Sequence, residues 1–154
     1  MKNLVITVAA VFAMCGPAKA QMVRAQDPSS IVRSLQGAGY KAELTKDKDG
    51  DPLIKSSSSG RNFVIFFYGC KKNIDCRTIQ FVAGYEDAKA PTLSAINDWN
   101  ANKLFARSYV SSSGRSRLAM DLDLDDGGLG TKLFEDNLEF WVLQMAEFEK
   151  YVAN

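Results

Sequence analysis

The C-terminal part of the chain places the strongest constraint on the fold, because a single apolar stripe runs along it. The stripe consists of Phe134, Leu138, Trp141, Met145, Phe148 and Val152. Their spacings of four and three residues are typical of an amphipathic helix, which we expect from about Thr131 to Val152. Such a helix cannot bury its stripe alone, so a sheet or other helices must cover it.

The segments before this helix predict a sheet. Apolar and polar residues alternate in 40–45, 76–83 and 118–124, as in half-buried strands. Strands are also expected from Leu53 into Ser56–Ser59, over Phe63–Tyr68 and over Phe105–Ser111. Because 63–68 is apolar at every position, we expect it inside the sheet and covered on both faces.

Two further helices complete the predicted architecture. Asp27-Pro28 is a typical helix start, and Gly37 and Gly39 would end that helix. A second helix follows Pro91-Thr92. The order is α-β-β-β-β-α-β-β-α, and short turns between successive strands favour an antiparallel meander. We therefore expect one α+β domain over residues 27–154.

The first twenty residues resemble a signal peptide. Lys2 precedes an apolar run from Leu4 to Met14, and Ala18-Lys19-Ala20 has the small residues that signal peptidase prefers. Cleavage near Ala20 would make the protein periplasmic or secreted, with residues 21–26 as a flexible leader. Two alternatives are an N-terminal anchor and a lipoprotein modified at Cys15. The apolar run is shorter than a membrane-spanning helix needs, so stable membrane insertion is not expected.

The cysteines agree with export. The chain has three cysteines, of which Cys70 and Cys76 lie beyond the leader. The five residues between them form a turn between two predicted strands, and an oxidising compartment would join the pair as a structural disulfide. A redox pair is the alternative, but such pairs usually have two intervening residues at a helix start.

The composition argues against several classes of function. The chain contains no histidine, which removes the usual base for serine or cysteine nucleophiles and a common metal ligand. Its formal net charge is +1, so nothing favours binding to nucleic acid. No phosphate-binding glycine loop is present in the sequence, and we expect no cofactor and no enzymatic activity.

Two carboxylate-based alternatives remain open. Asp121, Asp123, Asp125 and Asp126 resemble the start of a calcium loop, but the glycine falls one position late and position twelve is Lys132. Alternatively, Asp121, Asp123 or Glu86 could supply the paired acids of a carboxylate-based hydrolase.

The leading hypothesis is a binding protein. Phe140 and Leu143 widen the apolar surface of the last helix beyond its packing stripe. Either the flank of this helix or an edge strand would then contact a partner, which we expect to be a protein.

Several segments resemble the YbjN domain family: residues 38–44, 49–54, 96–100, 105–107, 120–123 and 127–128. The resemblance extends from about Asp27 to Val152, and its most distinctive part is Asn97-Asp98-Trp99-Asn100. It implies an α+β fold similar to that of type III secretion chaperones, which bind partner proteins and are commonly homodimers. The family is labelled a sensory transduction regulator and supplies no catalytic residue. Many members are cytoplasmic, whereas this chain has a signal-like leader and a cysteine pair.

Overall fold

A computed structural model describes residues 21–86 and 91–153 of the protein. Within these residues, eleven elements follow one another: β1 (Met22–Val23), α1 (Pro28–Gly37), β2 (Lys41–Lys46), β3 (Pro52–Ser58), β4 (Arg61–Tyr68), β5 (Thr78–Tyr85), α2 (Leu93–Asn102), β6 (Arg107–Val110), β7 (Ser116–Asp123), β8 (Leu129–Gly130) and α3 (Thr131–Ala153). The predicted α+β class and the order of the main elements are confirmed. The predicted signal peptide, residues 1–20, lies outside the described residues.

The main sheet has six antiparallel strands in the order β2-β3-β4-β5-β7-β6. Strands β2 to β5 form the expected meander. In the last hairpin, the second strand, β7, lies between β5 and β6 and pairs with both, so β6 is at the edge of the sheet. Burial explains this placement. Strand β7 buries Leu118, Ala119 and Met120 in succession, whereas β6 is short and carries exposed side chains. The more apolar strand therefore occupies the interior of the sheet.

All three helices contact the same side of the sheet. Helix α1 packs on β2, α2 beside β6, and α3 across β5 and β7. Trp141 on α3 contacts the rings of Phe63 and Phe81 at the centre of the core. The stripe predicted for α3 is buried throughout.

The opposite side of the sheet, here called the open face, carries no described helix. The prediction that β4 is covered on both faces is therefore wrong. Phe63, Ile65 and Phe67 are buried beneath the helices, but Val64 and Phe66 are only half-buried. An antiparallel sheet needs only one covered face, so an apolar run does not require two layers of helix.

Residues 21–26, expected as a flexible leader, are packed against the domain instead. Strand β1 pairs with β8, and both Val23 and Ala25 are buried. The backbone N–H and the hydroxyl of Thr131 both donate to the carbonyl oxygen of Gln21. Sequence alternation gave no signal because β1 contains only two residues.

The start and stop signals predicted for α1 differ in outcome: the aspartate cap is not formed, whereas the glycine termination is. Pro28 is the first helical residue, but the Asp27 side chain does not cap the helix and pairs with Arg33 instead. At the other end, Gly39 has φ +88°. Tyr40 N–H donates to the Leu35 carbonyl oxygen, which completes a Schellman-type termination.

Candidate protein-binding surface

Three of the four aspartates of the predicted calcium loop accept hydrogen bonds from protein groups. Asp121 accepts hydrogen bonds from Gln80 Nε2 and from Arg107 on the open face. Asp123 Oδ1 accepts from the Asp125 backbone N–H at 3.0 Å, and the Asp125 carboxylate in turn accepts from the backbone N–H of Asp126. Within residues 21–86 and 91–153, no group of three or more acidic, cysteine or histidine side chains is arranged to hold a metal ion. The calcium interpretation therefore stays a prediction.

Two of the three acids considered for hydrolysis, Glu86 and Asp121, form ion pairs with arginines. Glu86 lies after β5 and forms ion pairs with Arg115 and Arg117. Asp121 and Asp123 share the open face on β7, and Asp121 is paired with Arg107. These contacts place the acids at strand surfaces, and the concave sites described below do not include them.

The Cys70–Cys76 disulfide closes the loop between β4 and β5. Cys76 is buried, and the loop between the cysteines contacts the β2–β3 turn through Asn73. The Asn73 side-chain amide donates to the carbonyl oxygen of Asp49 at 3.0 Å and to Asp51 Oδ1 at 2.9 Å. The disulfide thus closes a loop that contacts the neighbouring turn at the same end of the sheet.

The helix layer contains an ion pair above a buried tyrosine. The Arg61 guanidinium lies 4.5 Å from the centre of the Tyr85 ring and donates to Glu149 on α3. The hydrogen bond from Arg61 holds the pKa of Glu149 below its usual value. Burial raises the pKa of Tyr85, whose hydroxyl donates to the Met145 carbonyl oxygen at 2.9 Å. These contacts attach α3 to β4 and β5, and the adjacent cavity of about 30 Å³ is too small for an organic ligand.

A shallow depression of about 470 Å³ lies over β2, β3 and β4. Its walls are two rows of open-face side chains, and its floor is the backbone of the row between them, Ala42, Ser56 and Phe63, whose side chains point to the helix layer. The walls carry both Lys41 and Glu43. Its polar lining includes an ion pair between Lys55 and Glu43 at 4.0 Å.

A cluster of exposed apolar side chains lies where the α2–β6 loop meets α3. We call it the aromatic patch, and it consists of Leu104, Phe105, Phe140 and Leu143. Leu104 is 74% exposed and Leu143 59%, and the rings of Phe105 and Phe140 stack with their centroids 4.6 Å apart. Scattered single apolar residues are normal on a protein surface, but a contiguous group is typical of an interaction site.

An unusual backbone conformation presents Phe105. The Ala106 N–H donates to the Leu104 carbonyl oxygen at 2.8 Å, and Phe105 between them has φ +69°. This is a γ-turn of the rare, strained kind, in a residue for which positive φ is unfavourable. The surrounding structure therefore holds an aromatic side chain towards solvent at a conformational cost.

Helix α2 supports this turn from both sides. Trp99 Nε1 donates to the Ala106 carbonyl oxygen at 3.2 Å, immediately after the strained residue. Lys103 ends α2 by donating its backbone N–H to Trp99, and its side chain pairs with Glu147 on α3. The loop is thus attached at Lys103 and at Ala106, and Leu104 and Phe105 project between these two points.

The sequence identified half of the aromatic patch. Phe140 and Leu143 are exposed on the flank of α3, as predicted. The prediction that a strand begins at Phe105 is wrong, because β6 begins two residues later, at Arg107. The sequence feature that could have identified Phe105 is the apolar pair Leu104-Phe105, directly after the weak C-terminal end of α2. A strand that starts at Phe105 leaves too few residues for the turn between the helix and the strand.

The structure defines a small α+β domain in which helices cover one face of an antiparallel sheet. The family model YbjN, described as "Putative bacterial sensory transduction regulator", matches residues 27–154. The chain therefore belongs to the YbjN family. A comparison with curated proteins finds no match. Among the described residues, no helix is both long and apolar enough to cross a membrane.

Proposed function

We propose that this YbjN-family protein acts without catalysis, as an exported regulatory or chaperone-like protein that binds a partner protein through the aromatic patch. The observation that carries the proposal is the γ-turn at Phe105, which keeps an aromatic ring exposed and stacked on Phe140. Aromatic side chains contribute strongly to binding when a partner covers them. The family description as a regulator agrees with a role in binding.

Export is the second part of the proposal. The signal-like leader precedes the domain, and the disulfide between Cys70 and Cys76 is consistent with an oxidising compartment. In such a compartment the partner would be an envelope or secreted protein. Its binding segment would supply apolar side chains to cover Leu104, Phe105, Phe140 and Leu143.

A site-specific cross-linking experiment tests this function. A benzophenone amino acid replaces Leu143 in the full chain, which is expressed in its own cells and irradiated. The matched control replaces Leu93, which is 78% exposed and lies outside the patch. We expect a discrete adduct with a partner protein from position 143 and none from position 93.

Two substitutions separate binding from folding. Phe105→Gly removes the ring and relieves the strained backbone, since glycine adopts positive φ readily. We expect it to keep or raise the stability of the domain and to abolish the adduct. In a binding assay with the identified partner, loss of one central aromatic residue should cost about 2 kcal/mol, or roughly thirtyfold in Kd. Equal adducts from both positions, or an adduct insensitive to Phe105→Gly, would contradict the proposal.

A further inference from the structure

Strand β6 covers only half of the outer edge of its neighbour β7. The four residues of β6, 107–110, pair with residues 116–119 of the eight-residue strand β7. Before β6, the γ-turn at Phe105 and the hydrogen bond from Trp99 to Ala106 direct the chain towards α2 instead. In the described sheet, residues 120–123 of β7 therefore pair on the β5 side alone, and we call them the free stretch.

The hydrogen-bond pattern shows which backbone groups the free stretch presents. The Leu124 N–H, just after β7, donates to the carbonyl oxygen of Arg77, just before β5. Because antiparallel ladders alternate, the even-numbered residues of β7 bond to β5 and the odd-numbered residues point their backbone groups to the other side. Asp121 and Asp123 thus direct their N–H and carbonyl groups into the space beyond β6. Among the turn and loop hydrogen bonds of the described residues, none reaches these four groups.

The β6 part of the same edge is closed by a side chain. Asn100 bonds both the N–H and the carbonyl oxygen of Ser108, which are the groups that β6 points away from β7. An incoming strand therefore meets occupied groups at Ser108 and unoccupied groups at Asp121 and Asp123. Unpaired backbone groups along a sheet edge are a template for pairing with another strand.

The side chains of the free stretch determine what kind of strand fits beside it. Leu122 lies on the helix-covered face, where it is half-buried and packs against the core. On the open face, the Asp121 carboxylate is paired with Arg107, whereas Asp123 belongs to no ion pair in the described part of the chain. An incoming strand would meet an apolar side chain on one face and an uncompensated carboxylate on the other. Apolar pairs and pairs of opposite charge across neighbouring strands are both favourable.

We infer that an extended segment of the partner protein adds to the free stretch as a short antiparallel strand in line with β6. Its residues opposite Asp121 and Asp123 form backbone hydrogen bonds, and a lysine or arginine opposite Asp123 pairs with that carboxylate. The residue between them is apolar and packs on Leu122. The inference rests on the proposed function, because the register of β6 would place residue 105 opposite Asp121. The segment thus takes the place that the γ-turn at Phe105 leaves vacant, next to the aromatic patch.

Amide hydrogen exchange of the protein without a partner tests whether the free stretch is open. The N–H groups of Asp121 and Asp123 should exchange fast, because they face solvent. The N–H of Leu122 lies between them in sequence and should exchange slowly, because it bonds to β5. Slow exchange at all three positions would overturn the inference.

An NMR titration with three synthetic peptides tests strand addition itself. The probe is a capped peptide of sequence threonine-lysine-leucine-lysine-threonine, added in large excess. N-methylation of both lysines removes the N–H groups that would bond to β7, whereas N-methylation of the leucine removes one that points to solvent. We expect the unmodified and leucine-methylated peptides to shift the amide resonances of Asp121 and Asp123, and the lysine-methylated peptide to leave them unchanged. Equal shifts from all three peptides, or from none, would overturn the inference.

A charge substitution tests the chemistry of the segment. Asp123→Asn keeps an oxygen that accepts from the Asp125 N–H but loses the charge, so it should weaken binding of the unmodified peptide by about two- to fivefold. The matched control Asp126→Asn changes an exposed acid beyond β7 and should bind normally. Equal weakening by both variants would contradict the predicted pair with Asp123. A photo-adduct at Leu143 without peptide binding would refute strand addition alone, whereas peptide binding without that adduct would refute the aromatic-patch proposal.

Discussion

The side-chain amide of Asn100 pairs with the backbone of Ser108 as an additional strand would. Asn100 Oδ1 accepts from Ser108 N–H at 2.7 Å, and Nδ2 donates to the Ser108 carbonyl oxygen at 3.1 Å. Asn100→Ala would leave both groups of a buried residue without these bonds, so we expect a loss of about 1–3 kcal/mol in the free energy of unfolding. Denaturant titration measures this loss.

Asn102→Ala is the matched control for this prediction. The Asn102 side chain is exposed and bonds only to Asp98 within α2. We expect a change within about 0.5 kcal/mol for this variant. Equal destabilisation by the two substitutions would mean that Asn100 acts through helix α2 rather than through the sheet edge.

Because Gly128 has no side chain, β1 can pack directly against the backbone at this position. A Cβ atom at this position would lie 2.1 Å from the Val23 carbonyl oxygen, and the backbone has φ +82°. We expect Gly128→Ala to cost about 3 kcal/mol or more, since a backbone clash adds to the conformational penalty. Thermal unfolding of the purified variant would show the loss.

Substitutions at two neighbouring glycines separate the backbone clash from the conformational penalty. Gly127 has φ +110° with open space around its Cβ direction, so Gly127→Ala should cost about 1–2 kcal/mol from conformation alone. Gly130 has open space and no positive φ, and its replacement by alanine should be nearly neutral. If Gly128→Ala were no worse than Gly127→Ala, the packing of residues 21–26 against the domain would be incorrect.

The disulfide should contribute measurably to stability. Replacing both Cys70 and Cys76 with serine removes the closure of a short loop, for which the chain-entropy relation gives about 2 kcal/mol. Denaturant titration of the oxidised protein and of the double variant measures the difference. Thiol titration of denatured protein recovered from the cell envelope should find neither cysteine free. Two reactive thiols in such protein would argue against the proposed compartment.

The Arg61–Glu149 pair predicts a pH dependence. Because Arg61 lowers the pKa of Glu149 in the folded state, the pair stabilises the protein above the ordinary glutamate pKa. This contribution is lost as the pH falls through the lowered value. We expect Glu149→Gln to destabilise the domain at neutral pH and to have little effect in strong acid. Denaturant titrations of both proteins across this range measure the difference, and a constant difference would contradict the ion-pair explanation.

Regular patterns made most of the fold predictable from the sequence. Helix α3 and strands β5 and β7 each show a strong periodicity in the sequence. The turn predicted at Gly60 lies between β3 and β4 in the structure. What the sequence could not show depends on contacts between distant segments. Val23 is buried because Gly128 leaves space for β1, and neither residue carries a local signal of that contact.

The candidate surface was predictable only in part for the same reason. Phe140 stands out because it lies beyond the packing stripe of its own helix. Phe105 becomes significant only when Trp99 and Ala106 fix the turn around it and α3 brings Phe140 under its ring. Likewise, the acids at positions 121 and 125 resemble metal ligands in sequence but lie beside Arg107 and Arg77 in space.

The strand order places β2 and β6 at opposite ends of a single sheet, about 24 Å apart at the usual strand spacing. The loop that precedes β6 presents the aromatic patch at one of these ends. A partner bound there would be separated from the β2 edge by the full width of the sheet, so the two edges could be occupied independently of each other.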